Sequence, residues 1–121
     1  MATHTDLWGE ITPSAVRTPA SILREQAALL GSKTKNIIEG QVETHTLGSE
    51  FRHTFNLVVP ALDNYSYELF QISHGVGMYP VYLSVGQYAK DEETFVKWLG
   101  EKLSSPETKS IIGSLLAQAN S

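Results

Sequence analysis

Apolar residues recur at two intervals along this chain, and the change of interval divides it into three stretches. In the first, Ile22, Leu23, Gln26, Ala27 and Leu30 follow one another at helical spacing, so that one face of a helix is apolar. Thr18 and Pro19 stand where a capping hydroxyl and a first-turn proline belong, and Gly31-Ser32 offers a stop. From Ile37 the interval becomes two, the mark of β-structure. Residues 37–46 set Ile38, Gly40, Val42 and Thr44 against Glu39, Gln41, Glu43 and His45. Residues 51–60 set Phe51, His53, Phe55, Leu57 and Val59 against Arg52, Thr54, Asn56 and Val58. Residues 65–74 and 79–86 read as a third and a fourth strand. The turns between them fall at Leu47–Glu50, Asp63-Asn64 and Gly75–Met78. Helical spacing then returns in Phe95, Trp98, Leu99 and Leu103, behind the acidic run Asp91-Glu92-Glu93 that favours a helix N-terminus. Ser104, Ser105 and Pro106 restart a last helix striped by Ile111, Ile112, Leu115 and Leu116.

Tight turns fix register, and register fixes which side chains share a face. A first turn centred on Gly48-Ser49 pairs Val42 with Phe55, Gly40 with Leu57 and Ile38 with Val59. A second centred on Asp63-Asn64 pairs Leu57 with Phe70, Phe55 with Ile72 and His53 with His74. The third then pairs Phe70 with Leu83, Ile72 with Val81 and His74 with Tyr79. One apolar face runs across all four strands and has to be covered by the helices. The expectation is an α+β fold of order α-β-β-β-β-α-α: a four-stranded antiparallel meander sheet with an N-terminal helix and two C-terminal helices packed on one face.

At 121 residues and 13.3 kDa the chain suits one domain, residues 18–121, preceded by an N-terminal arm, residues 1–17, whose large apolar residues are Leu7 and Trp8. Trp8 suits either an arm folded back on the domain or a short peptide docking into another molecule. Nine Lys and Arg against thirteen Asp and Glu leave a net charge of −4, with a pI near 5.5, which speaks against a nucleic-acid partner. Absence of cysteine rules out disulfides, thiolate metal sites and a cysteine nucleophile. With no secretory signal and no apolar run of membrane-spanning length, the expectation is a cytoplasmic protein without a membrane partner.

Candidate chemistry is sparse. Of the four histidines, His45 belongs on the polar side of the sheet, His53 and His74 on the core side, and His4 in the arm, so no metal site is expected. His53 and His74, with Glu68 and Tyr79 beside them, form a possible polar site between sheet and helices, and two imidazoles at short range resist charging together. This is the alternative reading, a small-molecule-binding or enzymatic site. No nucleophile elbow, carboxylate pair or phosphate loop is present, so no cofactor is expected and catalysis is not the leading reading. The leading reading is a non-catalytic protein-interaction module. Val58, Tyr67, Leu69 and Tyr82 fall on the outer face of the sheet, where polar residues are the rule. Such an apolar group suggests an interface, most simply a homodimer. Between residues 41 and 86 one basic residue faces four acidic ones, Glu43, Glu50, Asp63 and Glu68, so a basic protein partner also fits.

Overall fold

The computed structural model describes residues 5–121. Helix α1 (Pro19–Lys33) leads into five strands, β1 (Glu39–Leu47), β2 (Glu50–Val59), β3 (Tyr65–His74), β4 (Val81–Ser84) and β5 (Gln87–Ala89), followed by α2 (Glu92–Leu103) and α3 (Pro106–Ala119). The strands form one antiparallel sheet in sequence order. The class is α+β, as the alternating periods imply, but with five strands instead of four. Gly86 adopts a left-handed conformation (φ +75°) and turns the chain back on itself, so the expected strand 79–86 is confined to Val81–Ser84 and a fifth strand beyond its bounds pairs back on it. The alternation that seemed to extend that strand runs on into the turn, where Val85 is almost wholly exposed.

Each helix begins on a side-chain cap. Thr18 Oγ1 accepts the Ser21 amide at 3.0 Å, Asp91 Oδ1 the Thr94 amide at 2.9 Å and Ser105 Oγ the Thr108 amide at 3.2 Å. A cap of this kind contributes about 1 kcal/mol. Between α1 and β1 the chain reverses through Lys35 and Asn36, both left-handed. Thr34 holds this turn together: its Oγ1 accepts the Ile38 amide at 3.1 Å and lies 3.0 Å from the carbonyls of both Leu30 and Ile38. The helix then lies directly on the strand. A Cβ at Gly40 would sit 2.7 Å from both Cα and Cβ of Ala27, so only glycine permits this crossing.

The first hairpin has the expected register, with Val42 opposite Phe55 and Gly40 opposite Leu57. The second does not. Pro60 begins a short 3-10 turn (Pro60–Leu62), and Asp63 and Asn64 are both left-handed, which makes a wider loop than a turn centred on Asp63-Asn64. Phe55 consequently meets Phe70 instead of Ile72, and His53 meets Ile72 instead of His74, a slip of two that leaves faces unchanged. Beyond a bulge at Phe55/Asn56, Leu57 meets Tyr67 instead of Phe70, a slip of three that exchanges them. Tyr67 therefore joins the inner face and Glu68, opposite Asn56, the outer one. His74 pairs with Val81, not Tyr79.

All three helices and the inner face of the sheet contribute to one core, including Ile22 and Leu23 of α1, Phe55, Leu57 and Ile72 of the central strands, Phe95 and Leu99 of α2 and Leu115 of α3. Trp98 meets Phe70 edge-on at 5.3 Å between ring centroids, which ties α2 to β3. The Gly40 crossing is the tightest constraint in this packing. Gly40→Ala is expected to cost about 2 kcal/mol through overpacking, measured as a lower urea midpoint at unchanged m-value.

Candidate functional site

The two core-side histidines touch although they are not opposite one another. His53 Nε2 and His74 Nε2 are 2.8 Å apart, with the rings stacked at 4.9 Å between centroids. His53 is 4% exposed and His74 8%. Their outer nitrogens have fixed partners: His74 Nδ1 lies 2.8 Å from the Gly75 carbonyl, and His53 Nδ1 lies 2.9 Å from the Thr44 hydroxyl. A carbonyl only accepts, which assigns the His74 proton to Nδ1. In this tautomer His74 Nε2 accepts from His53, and His53 Nδ1 accepts from Thr44. Arg24 Nη2 donates to the Thr44 oxygen at 3.4 Å and completes a one-way chain of donors from α1 to the β3–β4 loop. Phe51 closes over His74 at 5.6 Å.

Burial, with lesser contributions from His74 and Arg24, lowers the His53 pKa to about 4. In the unfolded chain the same ring titrates near 6.5. Between these values the unfolded chain binds the extra proton, so the stabilisation is complete above about pH 6.5 and is lost as pH falls toward 4.

The other two members of the expected polar site lie elsewhere. Glu68 is on the outer face, where its carboxylate accepts from Gln71 Nε2 at 3.1 Å. Tyr79 donates its hydroxyl to the Arg17 carbonyl at 3.4 Å, and burial, reinforced by the nearby Glu92 carboxylate, raises its pKa. Among the described residues no three His, Asp or Glu side chains come together as a metal-binding group, and His4 lies outside those residues.

The expected outer-face patch is also rearranged. Val58 does lie on that side, between Glu39 and Ser66, but is buried. Tyr67 and Leu69 turn inward and pack against the core, because the bulge carries both across. Tyr82 remains outside, edge-on to Tyr88 at 5.2 Å, and Tyr88 is a mostly exposed residue that the pattern reading passed over. The rest of the outer face is a polar hollow of about 610 Å³ that includes Glu43, His45, Arg52, Glu68 and Gln71.

What the exchange of faces creates is an apolar cleft of about 520 Å³ between the helices and the sheet. Leu29 and Leu30 of α1 form one wall, and Leu103 and Ile112 of the α2–α3 corner form the other. Leu57 and Leu69 lie on its sheet side. Its charged lining residues are Lys33 and Lys109, and among the described residues that line it there is no carboxylate. A signal for this existed in the sequence: Leu69-Phe70 sets two large apolar residues side by side in a strand, which strict alternation forbids and a bulge accommodates. No protein-family model matches the chain, no curated protein matches its sequence, and no solved structure matches its fold.

Chemical denaturation across pH tests the histidine pair. Between pH 7 and pH 5 the protein is expected to lose about 2 kcal/mol on account of His53. His53→Gln should flatten that slope, while His45→Gln, at an exposed position, should leave it intact.

Proposed function

We propose that the chain is a non-catalytic protein-interaction module that receives an apolar segment of its partner in the cleft between α1, the β2–β3 hairpin and the α2–α3 corner. The observation that carries this reading is the open, leucine-lined cleft itself, an apolar hollow with cationic groups and no acid among its described lining. Concave, mostly apolar surfaces with a few placed polar groups are the common form of a binding site. The partner segment should therefore be apolar and acidic, whereas a basic partner would suit the sheet's outer hollow with Glu43 and Glu68. A cytoplasmic setting belongs to the same proposal.

The histidine pair supports a structural role in preference to catalysis. Each of its four ring nitrogens already has a partner, both rings are nearly inaccessible, and the carboxylate expected beside them is on the opposite face of the sheet. A general base needs access to the proton it removes, and this pair offers none.

The cleft is open to a direct probe. Anilinonaphthalene sulfonate, an apolar anion, is expected to bind the folded protein with a rise in fluorescence. Leu29 is half exposed on the cleft wall, so Leu29→Glu alters the cleft and spares the core. That variant should weaken the dye at least about fivefold at an unchanged melting temperature. Absence of dye binding by the native protein removes the proposal. A second reading, self-association through the outer face, is favoured by the Tyr82–Tyr88 pair. Native mass spectrometry of Tyr88→Glu decides it: a dimer that survives the substitution excludes that surface.

A further inference from the structure

The N-terminal arm has the chemistry the cleft calls for. Leu7, Trp8 and Ile11 are 92%, 81% and 72% exposed, an unusual concentration of large apolar groups in water. Asp6 and Glu10 are interleaved with them. The cleft presents the converse, leucine and isoleucine walls with Lys33 and Lys109 as its charges. In a chain whose net charge is −4, two copies repel at long range, and a local pairing of Asp6 and Glu10 with these lysines offsets that repulsion where the arm would seat.

In the single chain the arm does not line its own cleft. The chain is fastened at Arg17, whose guanidinium pairs with Glu25 at 2.7 Å and Glu92 at 3.7 Å and whose carbonyl accepts the Tyr79 hydroxyl. This anchor stands at the N-terminal end of α1, whereas Leu29, Leu30 and Lys33 place the cleft against its C-terminal end. At 1.5 Å per residue the two ends are about 20 Å apart along the helix. Leu7, Trp8 and Ile11 remain in solvent in the single chain, and the cleft remains open.

We propose that residues 6–11 of a second copy of this chain occupy the cleft, with Leu7 and Trp8 against its leucines and Asp6 and Glu10 toward Lys33 and Lys109. Two copies related by a two-fold axis satisfy both clefts and both arms at once, which closes the assembly at a dimer. The inference rests on the cleft being a segment-binding site and adds the identity of the segment.

Sedimentation equilibrium on the full chain tests it. The native protein is expected to dimerise, and Leu7→Ala with Trp8→Ala should weaken the dimer at least about tenfold. The arm lies outside the core, so the circular dichroism and melting temperature of that variant should stay those of the native monomer unit. Lys33→Glu with Lys109→Glu should weaken the dimer likewise, and adding Asp6→Lys with Glu10→Lys to it should restore association. A dimer indifferent to the arm substitutions overturns the proposal, as does a native monomer at millimolar concentration. If such a monomer still binds anilinonaphthalene sulfonate and loses it in Leu29→Glu, the cleft reading stands and only the arm is excluded. If neither is seen, both fall. A monomer in which Leu29→Glu exposes Trp8 to fluorescence quenching assigns the cleft to the chain's own arm and equally excludes exchange.

Discussion

The β2–β3 ladder has one residue too many on its third strand, and that surplus decides which side chains the sheet turns toward its helices. Below the bulge, Phe70, Ile72 and His74 point inward; above it, so does Tyr67, with Leu69 at the join. A regular ladder would have sent Tyr67 and Leu69 to the outer face and left Glu68 against the core, where a carboxylate without a partner is costly. The irregular pairing keeps the acid in water and the apolar groups in the packing. It also spaces them so that the helices do not close over every one, and the leucine-lined cleft is the remainder.

Polar groups inside the fold follow the same economy. Among the described residues no buried side-chain nitrogen or oxygen lacks a partner. Thr34, Thr108 and the two histidines each answer a backbone group or one another at a point where elements meet: α1 with β1, α2 with α3, and β1 with the β3–β4 loop through His53 and His74. Hydrogen bonds of this type add little stability each, but leaving one unmade is expensive, so they favour a single arrangement of the elements. These polar joints add specificity to the hydrophobic contacts that hold the helices.

Much of this was legible from the order of residues. The Thr18 and Ser105 caps, the helix stripes and the first hairpin register follow from local rules, because each is decided by neighbours in sequence or by one short turn, whereas His53 and His74 touch although the register expected for them slipped by two. What escaped depends on backbone conformations that side-chain alternation does not encode. Gly86 in a left-handed turn is one, since alternation of Val81, Leu83 and Val85 continues smoothly through the end of the strand. The loop at Pro60–Asn64 is another: three residues of 3-10 turn and two left-handed residues consume more chain than a tight turn, and the difference travels down the whole ladder. That loop and the bulge together moved Glu68, Tyr67 and Leu69, and the separate turn before β4 moved Tyr79. The candidate site's histidines survived a slip of two; Glu68, Tyr67 and Leu69 could not survive a slip of three.

The contact of Ala27 with Gly40 has a bearing on the cleft as well as on the core. Leu30 and Lys33, which border the cleft, lie three and six residues further along the same helix, so the strand beneath Ala27 acts as a fulcrum for the α1 end that forms the cleft wall. A methyl group inserted at that point would raise the helix and move Leu30 away from Leu103 and Ile112 on the facing wall. The width of the opening is in this sense set by an absent side chain, and a residue that touches no partner holds the gauge of the surface on which one would seat.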